Sequence, residues 1–432
     1  MRYHPIDPFL FTHNRQKFCE KLLPGSIAVF NANDILPTNA DGSLLLKQNS
    51  NLFYLSGIDQ EETILVLFPG HPEKNLREVL FMRETNEEIS VWEGHKLTKT
   101  EARDISGIEN VMWLNQFETT FNALMAEAEH VYLDSNEHIR RPVTEVETRN
   151  ARFINACKKK YPLHQYHRSA PVIYAQRAIK SPEEIRLIQQ AIDITEKGFL
   201  RVLSAVKPGI MEYEIEAEFI HEFTVNRSRG FAYAPIIASG YNACVLHYIE
   251  NNAACRDGDI LLLDVGSEFA NYNADLTRSI PVNGKFTKRQ KDVYNAVLKV
   301  QREAFSMLTP GNIIPEYQKE VARIMESEIL GLGLITKTDI KNQDKDRPAY
   351  KKYFMHGVSH HLGLDVHDVG SIYRQFAEGM VLTVEPGIYI REESLGIRLE
   401  DNVVITKKGI DDLMKKIPIE IGEIEELMNS RP

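Results

Sequence analysis

At 432 residues the chain is longer than one ordinary core accommodates, and its 43% hydrophobic and 26% charged content is that of a globular protein, so two domains are expected. The formal net charge of −10, with no long Lys/Arg run, argues against nucleic acid as the ligand, because phosphate binding draws on clustered positive charge. No apolar run approaches the roughly 18 residues of a membrane helix, so no membrane partner is expected.

The opening MRYHPIDPFLF lacks the basic-then-apolar pattern of a secretory leader. Four cysteines (Cys19, Cys157, Cys244, Cys255) are scattered without a CxxC pair, which predicts free thiols in a reducing compartment. Together these features predict a cytoplasmic protein.

Residues 1–173 alternate short apolar runs (IAVF at 27–30, TILVLF at 63–68, VLFM at 79–82, VYLD at 131–134) with helix-compatible stretches such as 117–129, an α/β pattern. A second domain, 174–432, is expected to open at Tyr174. There Ser181, Pro182 and Glu184 have the spacing of a helix N-terminus with a capping box. Pro208-Gly209 closes that helix, and further helices are predicted over 211–225, 288–308 and 316–330. Strands are predicted over 259–266, 274–282, 379–390 and 397–406. Helices and strands in runs imply an α+β domain with an antiparallel sheet. The charged tail from Ile419 is expected to be marginally ordered.

Several carboxylates fall where these strands should bury apolar side chains. Leu261, Leu262 and Leu263 run straight into Asp264, and Asp275 follows across a Gly/Asn-rich turn, so a hairpin brings both to one end of a sheet. Glu385 ends the run MVLTV, and alternation in IRLED sets Arg398 and Glu400 on one face with Ile397 and Leu399 on the other. Four acids in apolar surroundings repel one another unless cations intervene, which suggests a two-metal site. The stretch FMHGVSHHLGLDVHDVG adds His356, His360, His361 and His367. Its HGVSH has the spacing of a helical zinc motif, but Gly357 stands at the place of the catalytic Glu and the glycines favour a looped run.

These motifs closely resemble the proline-specific metallopeptidases of the pita-bread fold, above all the aminopeptidase P family. The likeness is carried by SPEEI at 181–185, LHYIEN at 246–251, RDGD, DVGSE and ADLTRSIPVNGKFT between 256 and 287, FMHGVSHHLGLDVHDVG, VLTVEPGIYI and GIRLEDNVVIT. Looser matches, SNLFYLSG and VWEG, lie in the first half. The resemblance implies an α/β N-terminal domain with gating or oligomerisation roles and a catalytic domain with a curved antiparallel sheet. It implies metal ligands Asp264, Asp275, His360, Glu385 and Glu400, with Asp275 and Glu400 bridging two divalent ions. Carboxylate-rich ligation favours Mn(II), with Mg, Co or Zn as substitutes.

By the same resemblance, His247 and His367 stabilise the reacting carbonyl, Glu385 is the general acid/base, and His356 with Arg398 serves substrate binding. His361 is assigned to packing. The implied activity is release of the first residue from peptides with proline second, by a homo-oligomer in which the region of Trp92 helps wall the cleft. Prolidase is the nearest alternative, and a metal-free pita-bread binding module the more distant one.

Overall fold

The computed structural model describes residues 3–141 and 146–430. The chain divides into two compact units, His4–Arg177 and the remainder from Ala178 together with Tyr3. Tyr174 lies within the helix Ala170–Arg177, so the division falls just after that helix and before the capping box.

In the first unit, β1 (Ser26–Asn31), β2 (Ile64–Leu67), β3 (Glu78–Met82), β4 (Asn110–Trp113), β5 (His130–Leu133) and β6 (Gln165–Arg168) form one sheet in the order β4-β3-β2-β1-β5-β6. β1 pairs antiparallel with β2 and parallel with β5, which pairs parallel with β6. Every residue of β1 and of β2 is buried, as expected for strands covered on both faces. Phe117, Phe121, Leu124 and Met125 of the helix Phe117–Glu127 pack into the same core as Ile27, Val66 and Phe81.

The second unit opens with the expected capping box. Ser181 Oγ accepts from the Glu184 amide, and Glu184 Oε2 accepts from the Ser181 amide at 2.9 Å, starting the helix Pro182–Ala205. Helices Glu212–Val225, Lys288–Met307 and Ile314–Gly331 follow, close to their predicted spans. The strands are β7 (Ile236–Ser239), β8 (Ile260–Val265), β9 (Glu268–Phe269), β10 (Tyr272–Asn273), β11 (Leu276–Pro281), β12 (Val381–Val384), β13 (Gly387–Ile390), β14 (Leu395–Arg398), β15 (Asp401–Thr406) and β16 (Gly409–Asp412). They pair antiparallel throughout, as β11-β8-β7, β12-β15-β16, β13-β14 and β10-β9.

Two predicted long strands are each broken in two, and the breaks fall at acids. Pro386 has no amide hydrogen for a ladder, and Glu385 precedes it between β12 and β13. Leu399 and Glu400 separate β14 from β15, with the Glu400 amide donating instead to Thr277 O at 3.0 Å.

The tail is more ordered than its charge suggests. Helix Ile421–Asn429 buries Ile424 and Met428, while Glu425 accepts from the Phe286 amide and Asn429 donates to Gly284 O. All four cysteines are free thiols, and among the described residues no helix is long and apolar enough to cross a membrane.

Candidate metal centre

The β8–β11 hairpin sets Thr277 opposite Asp264, so Asp275 sits one residue beyond the paired segment. Asn402 clamps Asp275 through its backbone, accepting from its amide at 3.0 Å and donating to its carbonyl at 2.7 Å. Gly266 lets the two arms of the hairpin approach closely: a Cβ there would lie 1.9 Å from Ala274 O. Tyr233 Oη stands 2.7 Å from Asp264 Oδ1 and 2.5 Å from Asp275 Oδ1, so one hydroxyl proton serves two carboxylates.

Glu400 reaches the same place from the β14–β15 break, its Oε2 accepting from Thr277 Oγ1 at 2.7 Å. His360 is held from its backbone by Thr383, whose Oγ1 accepts from the His360 amide and whose own amide donates to His360 O. His360 Nδ1 lies 3.0 Å from His361 O, which fixes it as the donor nitrogen. Nε2 is thereby left to face Asp275 Oδ2 at 3.4 Å and Glu385 Oε1 at 3.7 Å. Asp275, His360 and Glu400 are all buried, and each offers a ligand atom within 4.8 Å of the others.

Charge is far from balanced. Among the described residues, Arg398 is the arginine that reaches the carboxylates, its Nη2 2.5 Å from Asp264 Oδ2. Burial opposes its charge, but Tyr389 and Asp264 outweigh that and hold it protonated. Burial drives Asp264 upward, with Asp275 adding repulsion against the pull of Arg398. It pushes Glu385 up to about 7 and Glu400 well above the carboxylate range, the latter with further repulsion from Asp275 and Glu385. For His360, burial favours the neutral ring, but Asp275 and Glu385 outweigh it and raise its pKa. A carboxylate-rich donor set whose buried acids disfavour one another's ionisation, with one oriented imidazole, fits divalent cations.

The other sequence-selected residues ring this cluster. His367 stacks edge-on against His360, ring centroids 4.4 Å apart, and is itself exposed. His356 Nε2 lies 2.7 Å from Tyr389 Oη, which also accepts from Arg398 Nη1 at 2.8 Å. Burial and the nearby Arg398 hold the His356 pKa down to about 4, so it is neutral at ordinary pH. Arg398 contacts Asp264 directly and reaches Glu400 through Thr277 Oγ1, not by direct ion pairing. His361 is buried, its ring so close to Gly370 that a Cβ there would come within 2.3 Å. His247 occupies an exposed turn, near enough to His356 to disfavour its charge.

Sequence reasoning missed the residues that hold this arrangement. Glu212 is fully buried and caps both ends of the segment that carries His247. Its Oε1 accepts from the Ser239 amide (2.8 Å) and Oγ (2.7 Å), and its Oε2 from Tyr248 Oη (2.7 Å) and the Ala253 amide (2.8 Å). Tyr233 carried no sequence signal, whereas Asn402, a poor strand former leading the apolar run Val403, Val404 and Ile405 inside a strand, was an available one.

Residues 186–407 match the model of metallopeptidase family M24, and residues 11–132 match that of the aminopeptidase P N-terminal domain. Xaa-Pro aminopeptidases of Haemophilus influenzae and Escherichia coli are 35% and 34% identical, each alignment covering 97% of both chains. Among solved structures, a Bacillus anthracis chain described as an aminopeptidase P superposes with a TM-score of 0.91 at 35% identity, covering 99% of each chain. Zinc-substituted Escherichia coli aminopeptidase P in complex with product gives 0.87 at 33% identity, covering 98% of this chain and 99% of that one. The chain therefore belongs to metallopeptidase family M24 and is a metallo-aminopeptidase with the two-domain organisation of aminopeptidase P.

Proposed function

We propose that the chain releases the N-terminal residue from peptides whose second residue is proline, using two divalent cations, in the cell Mn(II). The observation that carries this reading is the convergence of Asp275, Glu385 and Glu400 around His360 Nε2, with Asp264 joined to Asp275 through Tyr233 Oη and, among the described residues, Arg398 as the one arginine paired with these acids. Asp264, Asp275, His360, Glu385 and Glu400 are the residues that would hold the cations. When bound, the cations supply Lewis acidity and make water nucleophilic near neutral pH.

The protein groups do the rest. Glu385, at the strand break and partly open, accepts the water's proton and delivers it to the departing proline nitrogen. His367 and His247, both exposed at the rim, donate to the carbonyl oxygen as negative charge develops there. His356, kept neutral and tied to Tyr389, borders the proline ring, and Arg398 fixes Asp264 and Tyr389 on the other side.

An X-Pro bond has no amide hydrogen and a fixed φ, so a site that recognises the ring and the free α-amine needs no backbone pairing with the scissile unit. The match to the N-terminal domain model favours longer peptides over prolidase action. The side chains of Val91 (81% exposed) and Trp92 (82%) on the helix Glu87–Glu93 support a homo-oligomer, and the four free cysteines support a cytoplasmic setting.

Hydrolysis of Arg-Pro-Pro and Gly-Pro after Mn(II) addition tests this. Release of arginine with little action on the dipeptide is the expected result. Faster cleavage of Gly-Pro assigns the chain to prolidase activity instead.

A further inference from the structure

In the first unit a cavity of about 230 Å³ opens between the helix Phe117–Glu127, the helix Arg149–Lys160 and the ends of β1 and β2. Its walls are aromatic. Phe117 and Phe121 stack with centroids 5.1 Å apart, Phe153 lies 5.8 Å from Phe121, and Tyr161 closes edge-on at 6.0 Å. Asn31 ends β1, so the cavity lies at the carboxyl end of a strand that runs parallel to β5, where open α/β sheets hold ligands.

Two polar groups on this wall lack partners among the described residues. Asn31 is 2% exposed, and its Oδ1 makes no hydrogen bond. The orientation of that amide is fixed: Nδ2 donates to Asn150 Oδ1 at 3.0 Å, and Asn150 Nδ2 in turn donates to the Asp134 carboxylate at 3.0 Å. A flip would set two carbonyl oxygens against each other. The second is half-buried Arg149, one of the lining residues, whose guanidinium makes no ion pair among the described residues. The carboxylates near it pair with other arginines, Asp34 with Arg152 at 2.7 Å and Glu62 with Arg83 at 3.7 Å, while the second Asp34 oxygen accepts from the Arg149 amide at 3.0 Å. Lys160, also on the wall, is paired with Glu118 at 2.8 Å, so of the two cations that line the cavity Arg149 is the one without a direct ion pair among the described residues.

We propose that this cavity binds a small aromatic carboxylate, with its ring among Phe117, Phe121 and Phe153, its carboxylate on Arg149 and a ring hydroxyl or amine donating to Asn31 Oδ1. The volume admits one substituted ring and little more, and an aromatic wall with a few placed polar groups is the usual make-up of a small-molecule site. Arginine pairs a carboxylate in two-pronged fashion, which supplies both charge and orientation.

The test is calorimetric titration of the full chain with 4-hydroxybenzoate, its neutral analogue 4-hydroxybenzamide, and benzoate. Saturable binding of 4-hydroxybenzoate is expected, about tenfold tighter than the amide and several-fold tighter than benzoate. Arg149→Met is expected to erase the preference for the anion while leaving arginine release from Arg-Pro-Pro unchanged. The proposal is overturned if no saturation is seen up to about 10 mM, if acid and amide bind alike, or if the anion preference survives Arg149→Met. The acid-versus-amide comparison is made on the unsubstituted chain, so it decides the matter even where the variant folds poorly.

Discussion

His360 Nε2 faces Asp275 Oδ2 at 3.4 Å because the opposite ring nitrogen is tied to the neighbouring carbonyl of His361. The imidazole is thus pre-set to bind through one nitrogen, and its loss removes a proposed ligand without disturbing the hairpin that carries the two aspartates. His360→Ala is expected to weaken binding at one of two cation sites at least about 100-fold and to abolish peptide hydrolysis, while circular dichroism stays unchanged. Isothermal titration with Mn(II) reads this as one lost binding event, and retention of two equally tight events would remove His360 from the ligand set.

The carboxylate cluster makes the metal-free protein sensitive to pH in a calculable direction. Burial raises Glu385 from its reference value of 4.5 to about 7. Between those values the unfolded chain has ionised this group while the folded chain still holds the proton, so stability falls as pH rises through that window. His356, lowered to about 4, acts in the opposite sense below its reference value of 6.5, so the two are separated by difference. Metal-free Glu385→Gln is expected to gain melting temperature over the metal-free parent as pH rises from 5 to 7, and then to hold that gain. A difference independent of pH contradicts the assigned burial of that carboxylate.

In the proposed mechanism Glu212 acts through His247, whose segment it clamps. Its truncation leaves the Ser239 and Ala253 amides without their acceptor, at a cost of about 1–3 kcal/mol for each buried donor. Glu212→Ala is expected to lower kcat at least about tenfold with Mn(II) affinity nearly intact, because the segment it clamps carries none of the proposed ligands. Parallel loss of metal binding in the titration would show a general collapse instead.

Gly266 tests the hairpin itself. A Cβ 1.9 Å from Ala274 O forces the strands apart where Asp264 and Asp275 must meet. Gly266→Ala is expected to lose high-affinity Mn(II) binding, whereas Gly331→Ala, where a Cβ meets nothing, leaves it unchanged. Equal metal binding by both variants would separate the turn from the site.

The positions of the acids were legible from local sequence, because a carboxylate directly after Leu261, Leu262 and Leu263 or at the end of MVLTV contradicts the burial its neighbours imply. The α/β character of the first half and the capping box at Ser181 were legible for the same reason: each is set by residues a few positions apart. The strand breaks were not, since Glu385 and Glu400 leave their ladders to satisfy partners such as Val358 and Thr277 that are distant in the chain. Tyr233, Thr383 and Asn402 were hidden likewise, because their roles exist only once the strands have assembled. The tail misled because Ile424 and Met428 lie a helical turn apart within a run of glutamates.

Stoichiometry tests the central claim most directly. After exhaustive chelation and titration with Mn(II), two ions bound per chain, with arginine release from Arg-Pro-Pro returning as they bind, are the result this account requires. Full hydrolysis by the chelated protein, or a chain that takes up no cation, would contradict it.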